Sequence, residues 1–233
     1  MRSHVDMAKE IVGELSVVIN AMSGLVHAVF GSSRLPNKAQ MTALRADLYD
    51  AATVKSEKAL SMLDSAAYEL ASRETQRATA EAGLDVSKVA VFDNPVVSTA
   101  RERIVFELCA YATEGARIAN GYAQRFAVNH SAGWPLDKAL RLAESGYRDR
   151  LGRWSAGKIG VRSNLTHSLF LLIADTLQQV RVEAYVLKSV ELGANRFRLS
   201  QPGYDRDGIE FHASTLPVDE LHPQSEAVIY ALR

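Results

Sequence analysis

Ile11, Leu15, Val18, Met22, Leu25 and Val29 follow one another in alternating steps of four and three. That is the spacing of a narrow helical seam. It predicts a helix over 6–30, capped by Asp6 and stopped at Gly31. Pro36 suits the first turn of a second helix over about 37–81. Met41, Leu44, Leu48 and Ala52 mark its apolar face, which Leu60, Leu63, Ala67 and Leu70 continue after a slight drift. Joined by the short GSSRLP segment, the two are expected to form an antiparallel N-terminal helical hairpin over 1–83.

Residues 84–97 interrupt the pattern and read as a connector, with Asn94-Pro95 as a turn or helix start. A third helix is expected over about 98–128, striped by Ile104, Leu108, Tyr111, Ile118 and Tyr122, with Gly115 allowing close approach of a neighbour. A shorter fourth helix follows over about 135–151, then a Gly-rich basic loop, GRWSAGKIGVRSN. Asn164 caps a fifth helix whose stripe is Leu165, Leu169, Leu172, Thr176, Val180, Ala184 and Leu187, and Gly193 stops it.

After Gly193 the period changes to two. Phe197 and Leu199 point to one side, Arg196 and Arg198 to the other, and Ile209 and Phe211 repeat the alternation beyond a QPGYDRDG turn. A two-stranded hairpin is marginal in water, so its apolar face must rest on helices or join further sheet. The segment EAVIYALR is a candidate third strand. The fold class is therefore mainly α: an N-terminal helical hairpin (1–83), a connector (84–97), a second helical region (98–193), and a small C-terminal β-hairpin with a tail (194–233).

The 233 residues carry 27 Lys and Arg against 27 Asp and Glu. A neutral total argues against a dedicated nucleic-acid binder, although it leaves room for a local basic patch. Lys138, Arg141, Arg148, Arg150, Arg153, Lys158 and Arg162 form such an excess near Trp134 and Trp154, where backbone phosphate or an acidic protein face could be met. The single Cys109 excludes an internal disulfide and a multi-thiolate zinc site, and its apolar neighbours mark it as a core residue. The N-terminus has acids where a secretory signal has its apolar run, and no uncharged stretch of the roughly 18 residues needed for a membrane span is expected. No metal or cofactor is called for, although His212 and His222 share their segment with Asp219 and Glu220.

Two stretches set Arg five positions before His: Arg125 with His130, and Arg162 with His167. The spacing resembles the Arg–four residues–His motif of HEPN-type helical ribonucleases, which implies Arg on phosphate oxygens and His moving a proton, without metal. Phe126 and Ser163 stand where that family has a polar residue after Arg.

Other features resemble a different family. Arg181-Val182-Glu183 on a helix, Gly193 closing it, a small β element, and a later His222-Pro223 follow one another in that order. The order resembles bacteriophage minor head, or head-morphogenesis, proteins associated with the portal. The likeness covers about 95–226, with Val182 in place of the usual Thr or Ser and without the cysteines often found there. It implies a non-catalytic structural virion protein and oligomer that contacts portal, capsid or connector subunits, with a peripheral contact to packaged DNA. The expected interaction residues are Arg141, Arg148, Arg150, Arg153, Lys158, Arg181, Glu183, Phe197 and Leu199. Outside a virus, the same features suit a cytoplasmic helical adaptor.

Overall fold

The computed structural model describes residues 2–31, 36–85, 94–159, 163–204, 207–216 and 221–232. The helices are α1 (His4–Phe30), α2 (Lys38–Thr53), α3 (Glu57–Glu81), α4 (Pro95–Ser131), α5 (Leu136–Ser155) and α6 (Leu165–Glu191). Two strands, β1 (Lys158–Ile159) and β2 (Ser163–Asn164), pair antiparallel between α5 and α6. A second antiparallel sheet contains β3 (Arg196–Ser200), β4 (Glu210–His212) and β5 (Val228–Leu232) in the order β4-β3-β5. The protein is mainly α with a small C-terminal sheet.

Several sequence expectations meet a local correction. The second helix is two, because Ser56 turns its hydroxyl back onto the Ala52 carbonyl (2.8 Å) and the Val54 and Lys55 amides both close on the Asp50 carbonyl. Such back-bonding offers the chain an alternative to helical continuation. The cap of α2 is Asn37, which exchanges side-chain bonds with Gln40 in a capping box. The fourth expected helix runs on to Ser155, so Gly152, Arg153 and Trp154 are helical and not loop. Asn164 does cap α6, accepting the Thr166 amide at 3.0 Å, and Gly193 leaves it at φ 92°. The α1 seam drifts as a 3.6-residue period requires: Ile11, Leu15, Val18, Met22 and Val26 are buried, and Leu25 is only half-buried. Residues 15–33 also contain no Asp, Glu, Lys or Arg, so α1 is long and apolar enough to cross a membrane (mean hydropathy 1.5), contrary to the expectation.

The chain forms two compact units that do not follow its order: 1–12, 60–102 and 169–233 in the first, 13–59 and 103–168 in the second. The consecutive segments 1–83 and 98–193 are therefore not the packing units, since helices of 25 to 37 residues are long enough to serve both. The joint expected at GSSRLP and most of the 84–97 connector lie outside the described residues.

In the second unit, α4 and α5 pack antiparallel through aromatic rings seated on glycines. Trp154 stacks on Tyr111 at 4.5 Å and donates its indole N–H to the Tyr111 carbonyl at 2.9 Å. A Cβ on Gly115 would lie 2.4 Å from Trp154, and one on Gly121 would lie 2.4 Å from the Tyr147 hydroxyl. Farther along, Tyr122 and Phe126 close over Ala139 and Ala143.

In the first unit, Phe197, Leu199 and Ile229 of the sheet pack onto Val182, Tyr185 and Val186 of α6 and Ala78 of α3. Strand β3 alternates as expected: Phe197 and Leu199 are fully buried, while Arg196 and Arg198 stay exposed and share Glu210 at 2.9 and 2.6 Å. The third strand is present, with Phe197 opposite Ala231 and Leu199 opposite Ile229.

Candidate functional site

A dense polar cluster lies in the first unit, where α3 and α6 meet the outer edge of β5. Strand β3 spends the backbone groups of Leu199 on Ile209 and Gly208, on the β4 side. Antiparallel pairing alternates, so Ala227, Ile229 and Ala231 turn their own backbone groups away from β3. Helix side chains meet each of them. Arg181 donates to the Ala227 carbonyl, and Arg77 donates to the Ile229 carbonyl at 3.0 Å. The Tyr185 hydroxyl accepts the Ala231 amide at 3.1 Å and donates to Glu81.

Glu74 ties the two arginines together. Its Oε1 lies 3.0 Å from Arg181 Nε and its Oε2 lies 2.7 Å from Arg77 Nε, the latter close enough for ion pairing but off the line of a hydrogen bond. Side-chain exposure is only 14% for Arg181 and 9% for Glu74, so both charges are largely out of water and each depends on the other. Burial lowers the Arg181 pKa, and the Glu74 carboxylate opposes that shift. Arg77 also stacks 4.0 Å above the Tyr185 ring, whose phenol is raised by burial and by its bond to Glu81. Every charge here is matched, and the arrangement holds a sheet edge against two helices.

Two further signature residues belong to the same frame. Glu183 accepts the Asn94 side-chain amide at 2.8 Å, fixing the start of α4. The Pro223 carbonyl accepts a bond from His4 Nε2 at 3.1 Å. Arg181 and Glu183 thus reach different partners, as their two-residue spacing requires, and both partners are within this chain. Beside the cluster is a cavity of about 390 Å³ lined by Glu81, Tyr185, Ser189 and Asn195.

Three of the four residues of the arginine–histidine pairs are described, and each is exposed. Arg125 and His130 are both exposed, and five residues on a helix turn them about 140° apart. His130 bonds the Trp134 carbonyl at 3.3 Å, closing the end of α4. His167 is exposed at the start of α6, and Arg162 lies outside the described residues. His212 bonds Ser214, and His222 stacks on Tyr204 at 4.3 Å. Among the described residues no group of three His, Cys, Asp or Glu side chains is disposed to hold a metal. Asp219 and Glu220 fall outside that description.

The expected interaction residues divide. Arg141 and Arg148 are exposed and paired along α5 with Asp137 and Glu144. Arg150 crosses to Glu114 of α4 at 2.9 Å, and Arg153 is exposed. Lys158 is in β1. Phe197 and Leu199 are different: their apolar surface is consumed inside the chain, so they are not contact residues for another subunit. Trp154, expected beside the basic patch, is buried, whereas Trp134 remains 41% exposed with Lys138 over its ring. Cys109 is half-buried, and burial raises its thiol pKa, away from a reactive thiolate.

Sequence reasoning missed Glu74, Arg77 and His4. The RETQRATAE run resembles a solvated face, and its one signal was Ala71 and Ala78 on either side of Glu74 and Arg77, both buried.

Comparison of the chain with protein-family models, curated proteins and solved structures gives no match.

Proposed function

We propose that this is a structural, assembly-type protein whose helices make broad contacts with neighbouring chains. Drawing on the sequence resemblance, we assign it to the minor head proteins that accompany the portal in a phage particle. The observation that carries the reading is the use made of the signature residues. Arg181, Glu183 and the His222-Pro223 element each serve to hold sheet, helix and connector together. Their polar groups are spent on the chain itself, which suits a rigid scaffold better than a reaction centre. Large apolar side chains left in water on the helices give such a scaffold its contact points: Phe106 on α4 is 69% exposed, and Leu187 and Val190 sit one turn apart on α6.

Native mass measurement of the purified chain, alone and with isolated particle components, tests the proposal. A ring, or stable incorporation into a larger complex, is expected. A lone monomer that turns over a small substrate would overturn it, as would RNA cleavage abolished by His130→Ala or His167→Ala in a folded protein.

A further inference from the structure

The balanced total charge conceals a division. The second unit holds 15 Lys and Arg against nine Asp and Glu, a net of +6. The first unit holds the other 12 Lys and Arg against 18 Asp and Glu, a net of −6. Charge asymmetry of this kind points to a partner for the basic part.

Within the basic unit, a groove of about 390 Å³ runs between α2 and α4, lined by Lys38, Thr42, Arg45, Thr113, Arg117 and Asn120, with Met41 and Ala116 beneath. Lys38, Thr42 and Arg45 follow one face of α2, and the backbone positions carrying the two cations are about 10.5 Å apart along the helix. That rise spans roughly three phosphates of one DNA strand. The Lys38 ammonium, the Arg45 guanidinium and the Asn120 amide have no side-chain partner among the described residues. Arg117 is bonded to Glu114, but the Glu114 Oε1 atom is shared with Arg150 at 2.9 Å, leaving one carboxylate against two guanidiniums. Thr113 gives its proton to the Cys109 carbonyl and so accepts from Tyr49 across the groove, which holds α2 beside α4.

We propose that this groove binds the phosphodiester backbone of duplex DNA. The cations are spaced along a line, and the neutral groups at the rim between them are hydrogen-bonding side chains. Those features match a charged strand lying lengthwise, read without regard to base sequence. The assignment does not depend on the assembly role, and its test is separate from the mass measurement.

Binding of a fluorescently labelled duplex to the full-length protein is measured by anisotropy over about 50 to 200 mM KCl, the range in which phosphate contacts dominate the salt response. The Lys38→Gln/Arg45→Gln double variant is expected to lower the log–log salt slope by roughly 2, about 0.9 for each phosphate left unneutralised. Arg196→Gln/Arg198→Gln makes the same charge change in the acidic unit and should leave the slope unaltered. Circular dichroism checks that helix content is kept. Equal slopes for wild type and the α2 variant, or no binding at the lowest salt, would overturn the proposal. Polyglutamate competing as well as DNA would reassign the groove to an acidic protein. Tighter, equally variant-sensitive binding to phosphatidylserine vesicles would reassign it to a membrane surface.

Discussion

His4 Nε2 donates to the Pro223 carbonyl at 3.1 Å, joining residues 219 positions apart, with the imidazole buried and Pro223 half-buried. A carbonyl can only accept, so the proton is on Nε2, and Nδ1 is left bare, buried and unpartnered. Protonation would add a charge and a donor with nothing to receive it. Burial therefore lowers the His4 pKa from 6.5 to about 4.

The unfolded chain takes up a proton at this histidine below pH 6.5, while the folded protein refuses it until about pH 4. Stability attributable to His4 thus declines as pH falls through that window and levels off beneath it, by about 3 kcal/mol in total. Urea unfolding at pH 7 and near pH 4.5 should show a larger acid loss for wild type than for His4→Gln, which keeps a donor for Pro223. Identical losses would remove His4 from the account.

Arg181 and Glu74 should behave as a unit. Arg181→Met leaves a carboxylate deep in the protein with only Arg77 beside it, and is expected to destabilise by roughly 3 kcal/mol. The Ala227 carbonyl loses its donor in the same step. Glu74→Gln alone should be nearly as damaging, and the double variant should lose much less than the sum of the two. Additive losses in chemical denaturation would mean that the pair is not coupled.

Besides His4 Nδ1, two buried neutral side chains have no hydrogen-bond partner among the described residues and mark where stability can be gained. Gln178 is fully buried with neither side-chain atom bonded, and the Tyr111 hydroxyl is in the same position. Gln178→Met and Tyr111→Phe keep most of the volume and remove the unmet group, so each should stabilise by about 1 kcal/mol. A lower melting temperature for both variants would point to an internal water or partner at these sites.

The seat of Trp154 is unforgiving. Gly115→Ala inserts a methyl 2.4 Å from the indole ring, which is also tied to the Tyr111 carbonyl. A loss of about 2 kcal/mol is expected from overpacking. Gly146→Ala, with nothing within 4 Å of the added carbon, should be neutral or slightly stabilising. A Gly115→Ala variant as stable as wild type in thermal melts would contradict the packing described.

The periodicity of apolar residues carried the helices and the strand alternation, because burial of one face is written directly into spacing. Phe197 and Leu199 illustrate its limit: the pattern gave their side but not what lay against it. The break at Ser56 was invisible because it depends on a hydroxyl turning onto the preceding turn, a choice that composition does not encode. Arg181 was visible as part of a signature, yet its partners Glu74 and Ala227 come from other segments that only tertiary folding brings near. Glycine gave a mixed return: Gly115 was legible as a contact point, but the indole that occupies it lies where a loop was expected.

The assembly of each compact unit from separated stretches sets a schedule for synthesis. The second unit lacks part of its chain until Ser168 has left the ribosome, and the first is incomplete until β5 has emerged at the far end. During that interval the greasy sides of α1 and α3 have no finished core to enter. The nascent chain therefore keeps that apolar surface uncovered until the later segments arrive to close each unit.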